Sequence, residues 1–166
     1  MRGRLVAVLG AAVAAACLTG SAAAPAGVVR VAASTAIDLG TLGGHYSEAV
    51  AVSDSGVVAG SSTLAGEAAF HAFVWTKQGG MVDLGTLGGS LSVAYAVNIH
   101  GQVVGYSYIA GDAHAHAFSW TSEGGIVDLG THPAAESSAG VVNDSGQVAG
   151  SSTTAAGETH ATLWQP

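Results

Sequence analysis

The chain has 166 residues and a formal net charge of −7, and only 9% of its residues are charged. Its 4 lysines and arginines are too few to neutralise a row of phosphates, so we expect no nucleic-acid partner. Hydrophobic residues make up 49% and glycine fills 25 positions. This composition excludes charge-driven disorder and favours β-structure with tight turns.

The first residues have the layout of a secretory signal peptide. Arg2 and Arg4 precede an uncharged apolar run, and small residues follow it. The run is shorter than the ~20 residues that span a bilayer. We therefore predict a signal peptide over residues 1–26, a short N-terminal segment over 27–34, and a secreted, extracellular or periplasmic product. The single cysteine, Cys17, lies inside the signal, and a lipoprotein anchored through Cys17 is the alternative.

The remainder of the chain repeats itself. The motif that begins at Asp38 as Asp-Leu-Gly-Thr-Leu-Gly-Gly returns at Asp83 and, in degraded form, at Asp128, so that the copies are 45 residues apart. Such a period is the signature of a repeat architecture. We predict one β-repeat domain over residues 35–166, with repeats at approximately 38–82, 83–127 and 128–166.

Each repeat is predicted to form four short antiparallel strands. A turn such as Ser53-Asp54-Ser55-Gly56 separates the first two strands, and paired glycines such as Gly79-Gly80 separate the last two. Four antiparallel strands in about 45 residues match a β-propeller blade. The predicted fold is thus all-β, with three propeller-like blades in a partial ring. An open β-sheet array and a β-solenoid are the alternatives.

The two ends of the repeat domain complement each other. Residues 35–39 are predicted to be a lone fourth strand, and the last strand, which ends at Trp164, is a third strand. Typical propellers have four to eight blades, so three blades should not close alone. We expect a homodimer in which two copies share a six-bladed ring and cover each other's apolar end faces.

A second motif recurs beside the first. His71-Ala72-Phe73-Val74-Trp75 returns as His116-Ala117-Phe118-Ser119-Trp120, next to turns of the type Val-Asn-Asp-Ser-Gly-Gln-Val. Together these motifs resemble the repeats of the bacterial extracellular HAF-repeat proteins over roughly residues 37–164. The third repeat departs from the pattern, because Thr162 replaces the phenylalanine. The resemblance implies a secreted or surface repeat protein and supplies no enzymatic activity.

An aspartate, a histidine and a tryptophan recur at a fixed place in every repeat. Glycoside hydrolysis needs two carboxylates in contrasting environments, and equivalent repeat positions offer equal ones. We therefore predict structural roles, with hydrogen-bonding histidines, for these positions. They are Asp38, Asp83, Asp128, His71, His116, His160, Trp75, Trp120 and Trp164.

Metal binding has weak candidates. His114 and His116 alternate along a predicted strand and so project to one face. A His-x-His pair binds Zn²⁺ or Cu²⁺ when a third ligand converges, and the sequence indicates none. Asp54 and Asp144 are interpreted as turn residues, because a Ca²⁺ loop needs several more oxygen ligands. We predict no cofactor.

A ligand site should break the symmetry of the repeats, because a residue present in every repeat serves the fold. The symmetry-breaking residues are His45, Tyr46, Tyr95, His100, Tyr106, Tyr108, Asp112, His114, His132 and Glu136. Tyrosine suits glycan or peptide contacts, so the predicted ligand surface consists of Tyr46, Tyr95, Tyr106 and Tyr108.

The sequence therefore predicts a non-enzymatic exported repeat protein that presents a binding or structural surface. The expected partner is a glycan, a peptide or a component of the cell envelope. One alternative is a fragment of a longer repeat protein with a purely structural role. The other is a propeller-type hydrolase or lyase, which ranks last because no acid pair stands among the symmetry-breaking residues.

Overall fold

The computed structural model describes residues 35–66, 69–130 and 135–166. The predicted signal peptide over residues 1–26, with Cys17, lies outside these ranges, as do residues 27–34 and His132. All of the described strands lie in the compact unit Ile37–Pro166. Among the described residues, no helix has the length and apolar character that a membrane crossing requires.

The fold is all-β, which confirms the predicted class. In the described part of the chain there are 11 strands and no helix, and the strands form two sheets that are mostly antiparallel. The strands are β1 (Gly43–Val52), β2 (Val58–Leu64), β3 (Phe70–Thr76), β4 (Gly80–Asp83), β5 (Gly88–Val97), β6 (Val103–Ile109), β7 (Ala115–Thr121), β8 (Gly125–Asp128), β9 (Ser137–Val142), β10 (Val148–Thr153) and β11 (Thr159–Trp164).

The strands follow the repeat. β1 to β4 form an antiparallel meander, each strand paired with the next, and β5 to β8 form the same meander again. The third unit has three strands, in the order β11-β10-β9. A short parallel pairing of Phe70 with Leu91 joins the first meander to the second. The meanders thus begin a few residues after the repeated aspartates that mark the sequence repeats.

Local chemistry explains the hairpins between first and second strands. Gly56, Gly101 and Gly146 each have a φ near +80°, a conformation that residues with a side chain rarely adopt. The backbone N–H of Gly56 donates a hydrogen bond of 2.9 Å to the carbonyl of Ser53, and the other two turns repeat this bond. The glycine at this position of each repeat therefore closes the predicted turn.

The core lies between successive repeats. One buried cluster joins residues of the first repeat, such as Ala59 and Ala72, to residues of the second, such as Phe118. The other cluster joins the second repeat to the third, where Ala117 packs with Val148. Since every repeat covers a face of its neighbour, burial of apolar area stabilises the stack one junction at a time.

One detail differs from the prediction. Residues 35–39, predicted as a strand, contain none, because no described strand pairs with them. The described sheets do not close into a barrel or a propeller ring, which agrees with the expectation that three repeats do not close alone. Within the described residues, the open stack leaves the outer faces of the first and third repeats without a neighbouring repeat.

Candidate functional site

The repeated histidine and aspartate lie together in the first two repeats. His71 Nδ1 is 2.9 and 3.0 Å from the two carboxylate oxygens of Asp83, and His116 Nδ1 is 3.0 and 2.8 Å from those of Asp128. The backbone N–H of Gly85 donates to the same Asp83 carboxylate at 2.8 Å. Each pair ties a third strand to a fourth strand, which is the arrangement that a structural role requires.

The third repeat is different. The side chain of His160 is 62% exposed, and its Nε2 lies 3.6 Å from a carboxylate oxygen of Glu158. Asp38 is exposed and accepts a hydrogen bond of 3.0 Å from the backbone N–H of Gly40. In the described residues the histidine–aspartate pair thus occurs in two of the three repeats.

The three tryptophans keep one register. Trp75 lies opposite Val58 across the β2–β3 pair, and Trp120 and Trp164 occupy the same position in the later repeats. Trp120 packs against the first buried cluster and Trp164 against the second. These contacts place the rings of Trp120 and Trp164 at the edges of the junctions between repeats.

The two histidines that are weak candidates for metal binding have different surroundings. His116 is 5% exposed and its Nδ1 faces Asp128, whereas His114 Nδ1 lies 3.4 Å from Oε1 of Glu136. Within the part of the chain that the structure describes, no group of three or more His, Cys, Asp or Glu residues could hold a metal ion.

Two of the four candidate tyrosines share a cleft between the second and third repeats. The rings of Tyr95 and Tyr106 are tilted by 43° with centroids 5.7 Å apart. They line an open cleft of about 330 Å³ whose opposite wall belongs to the third repeat. That wall presents one carboxylate and several hydroxyl groups, from Glu136, Ser137, Ser138, Ser151, Thr153 and Thr159.

A β-bulge positions Tyr95. On β5, Ala94 lies opposite Gly105 and Ala96 opposite Val104, so Tyr95 is an extra residue in its strand. A bulge bends the strand and redirects a side chain. The bulge recurs in the other two repeats, where the equivalent residues are Val50 and Gly140. The backbone feature therefore belongs to the fold, and the tyrosine is specific to the second repeat.

Tyr106 is equally specific, since the residues 45 positions before and after it are Ser61 and Ser151. Desolvation by burial is the main factor that raises the pKa of Tyr106 above its ordinary value, and Tyr95 and Tyr108 raise it further. The phenol is therefore neutral at physiological pH, and its O–H can donate a hydrogen bond to a ligand.

Glu136 is held at the rim of the cleft. Its Oε2 accepts a hydrogen bond of 2.9 Å from the backbone N–H of Ala115, the first residue of β7. The side chain is 57% exposed, so the carboxylate retains the capacity to accept hydrogen bonds from a ligand. The sequence marks Glu136 as unique to its repeat but gives no sign that it faces the tyrosines, because that contact depends on how the repeats stack.

The other two candidate tyrosines lie outside the described lining of the cleft. Tyr46, on β1, packs against the ring of Phe70 with centroids 6.1 Å apart and donates a hydrogen bond of 2.8 Å to Glu48. That hydrogen bond is the main cause that raises the pKa of Tyr46. Tyr108 lies two residues after Tyr106 on β6. The predicted ligand surface thus divides into the pair in the cleft, Tyr108 on the same strand as Tyr106, and Tyr46 on β1.

Comparison with known proteins adds no relative. No protein-family model, no curated protein and no solved structure significantly matches the chain. The resemblance to HAF-repeat proteins therefore stays a prediction that rests on the repeat motifs, and function is argued from the residues of the cleft.

Proposed function

We propose that this is an exported, non-enzymatic β-repeat protein that binds a glycan in the cleft between its second and third repeats. The observation that carries the proposal is the Tyr95–Tyr106 pair, an aromatic surface that occurs in one repeat only and faces a wall rich in hydroxyl groups. Sugar rings present apolar C–H faces and many hydroxyl groups, so aromatic rings and hydrogen-bonding side chains together suit them.

The polar wall supports a glycan over an apolar ligand. Ser138, Ser151 and Thr153 each offer a hydroxyl that can donate and accept, and Glu136 offers an anchored acceptor. The cleft is open to solvent and modest in volume, which suits an exposed chain end or a short stretch of polymer.

The same lining favours binding over hydrolysis. Among the described residues of the cleft wall, Glu136 is the one carboxylate, and hydrolysis of a glycosidic bond ordinarily uses two that flank the scissile bond. A hydrolase or lyase therefore ranks below a binding protein. A purely structural role ranks below it too, because such a role gives no reason for an aromatic pair confined to one repeat.

An exported product fits a glycan ligand. The proposed location, extracellular or periplasmic, rests on the signal-like pattern of residues 1–26, and the lipoprotein alternative rests on Cys17. The resemblance to HAF-repeat proteins has the same implication. Cell-envelope and extracellular polysaccharides would be within reach at either address.

We further infer that the repeats are propeller-type blades and that two copies associate into a six-bladed ring. Four-stranded meanders that stack face to face at a 45-residue period support this architecture. Uncovered ends support the association: Ala49 is exposed, whereas the equivalent Ala94 and Ala139 are 0% exposed.

A glycan-binding screen tests the proposed function, with variants taken from the chain's own repeats. Tyr95→Val and Tyr106→Ser install the residues that stand at these positions in the first repeat, so the backbone should tolerate both. We expect the wild-type chain to retain a defined class of glycans, and each variant to lose at least about tenfold in affinity. Tyr46→Phe is the control. A chain that retains no glycan, or variants that bind like the wild type, would contradict the proposal.

A further inference from the structure

The junction between the first and second repeats has a distinct set of bonds. Asp83 binds His71, as described above. Next to that pair, the backbone N–H of Leu84 donates to the carbonyl of Ala72 at 3.0 Å. The backbone N–H of Ala72 in turn donates to Oγ of Ser92 at 2.9 Å. The edge of the third strand is thus covered by a short following segment and by a serine of the next repeat.

The same hydrogen bonds occur at the junction between the second and third repeats. Asp128 binds His116, the backbone N–H of Leu129 donates to the carbonyl of Ala117 at 2.8 Å, and the backbone N–H of Ala117 donates to Oγ of Ser137 at 2.9 Å. Two junctions built from equivalent residues establish a rule for how one repeat of this chain binds the next.

The start of the stack carries one half of a third junction. Asp38, Leu39 and Ser47 stand 45 residues before Asp83, Leu84 and Ser92. Two local hydrogen bonds of this half match those of the internal junctions. Oγ of Ser47 donates to the carbonyl of Gly40 at 2.7 Å, as Oγ of Ser92 donates to the equivalent carbonyl at 2.6 Å. The backbone N–H of Gly40 donates to Oδ1 of Asp38. The N–H groups of the equivalent Gly85 and Gly130 donate to Asp83 and Asp128 in the same way.

The end of the stack carries the other half. β11 pairs with β10 on one side, and its other edge is open in the described structure. His160 is 62% exposed, against 17% for His71 and 5% for His116. Leu163 is 56% exposed, whereas the equivalent Val74 is 6% exposed. These side chains lack the cover that their equivalents receive at the internal junctions.

We propose that a second copy of this chain completes the junction, with residues 37–39 of one copy added as a fourth strand beside β11 of the next. In this arrangement the Asp38 carboxylate accepts a hydrogen bond from His160 Nδ1, the N–H of Leu39 donates to the carbonyl of Ala161, and Oγ of Ser47 accepts from the N–H of Ala161. The contact continues the rule of the two internal junctions, and it deepens the proposed self-association on which it rests.

The contact is head-to-tail, so its two surfaces are different. Two copies that satisfy both of their ends form a closed ring of six repeats, and copies that do not close the ring form a longer assembly. A symmetric back-to-back dimer would instead use one surface twice. Variants at the two different surfaces can therefore distinguish a head-to-tail contact from a symmetric dimer.

A complementation experiment tests the junction. Leu39→Pro removes the N–H that would bond the next copy, and His160→Asp places a carboxylate against Asp38; both residues lie at the ends of the stack and outside the cleft. Sedimentation of the purified wild-type chain should show a dimer or a larger assembly. Either variant alone should associate at least about tenfold more weakly. An equimolar mixture should form a dimer with one copy of each variant, because one intact junction remains.

Glu158→Gln is the matched control, since Glu158 lies beside His160 and has no equivalent in the junction set; it should associate like the wild type. A monomeric wild-type chain would overturn self-association and the junction together. Association that survives both variants, or a mixture that stays monomeric, would overturn the junction alone. Glycan binding, measured on the same samples, reports separately on the cleft, which lies within a single copy.

Discussion

His116 Nδ1 lies 2.8 Å from Oδ2 of Asp128 and so joins the third strand of the second repeat to the residue that ends its fourth strand. The first repeat has the same pair in His71 and Asp83, with a more exposed histidine. The third repeat has the histidine alone. The chain therefore offers the same histidine in three settings: buried and paired with an aspartate, half-buried and paired, and exposed without that aspartate.

Substitution of the three histidines by alanine should give a graded loss of stability. His116→Ala should lower the free energy of unfolding by about 2–3 kcal/mol, because it removes a buried ring and its hydrogen bond to the carboxylate of Asp128. His71→Ala should cost less, and His160→Ala in the monomer should cost about 0.5 kcal/mol or less. Denaturant unfolding checks the order. Equal losses at all three positions would contradict a structural role that scales with burial.

Two glycines make a second matched pair. A Cβ on Gly105 would overlap the carbonyl oxygen of Val93, whereas a Cβ on Gly140 would have its nearest neighbour at 3.8 Å, an ordinary contact. Gly105→Ala should therefore destabilise the fold by roughly 1–3 kcal/mol, and Gly140→Ala should change it little. Thermal unfolding of the two variants measures the difference. A tolerated Gly105→Ala would mean that β5 and β6 approach less closely than described.

The phenol of Tyr106 should lose its proton at a higher pH than an ordinary tyrosine does. Its pKa is raised in the folded chain, while in the unfolded chain the phenol should titrate near pH 10. The folded state therefore holds the proton more tightly. The resulting stability is complete below about pH 10 and is lost as the pH rises through the folded pKa.

Phenylalanine has no ionisable group, so Tyr106→Phe should remove this pH-dependent loss of stability. Between pH 8 and alkaline pH, the free energy of unfolding should therefore fall less in the variant than in the wild type. Absorbance of the phenolate, followed during a pH titration of both proteins, identifies the group. A Tyr106 that ionises at or below the ordinary value would contradict its burial in the cleft wall.

The sequence predicts the local part of the fold well and the non-local part less well. The turn at Gly56 depends on four neighbouring residues, so its chemistry can be read from the chain alone. Residues 35–39 have the sequence pattern of a fourth strand, but no described strand pairs with them, so they do not form a strand. The bulge at Tyr95 was likewise beyond prediction, because it exists only in the register of β5 against β6.

The sequence singles out two residues of the cleft but does not predict the cleft itself. Tyr95 and Tyr106 stand out because they interrupt a repeat, and the structure places their rings together. Ser138 and Thr153 do not stand out, because serine and threonine occur throughout the chain. Their presence opposite the tyrosines follows from the stacking of the third repeat on the second, which no local pattern encodes.

Titration calorimetry with a glycan identified in the screen tests the central claim most directly, if the glycan is also recovered and weighed by mass spectrometry. The wild-type chain should bind it, the Tyr95→Val/Tyr106→Ser double variant should remain folded but bind at least about tenfold more weakly, and the glycan should be recovered intact. Equal affinity in the double variant would contradict the site. A cleaved glycan would contradict a protein that binds without catalysis.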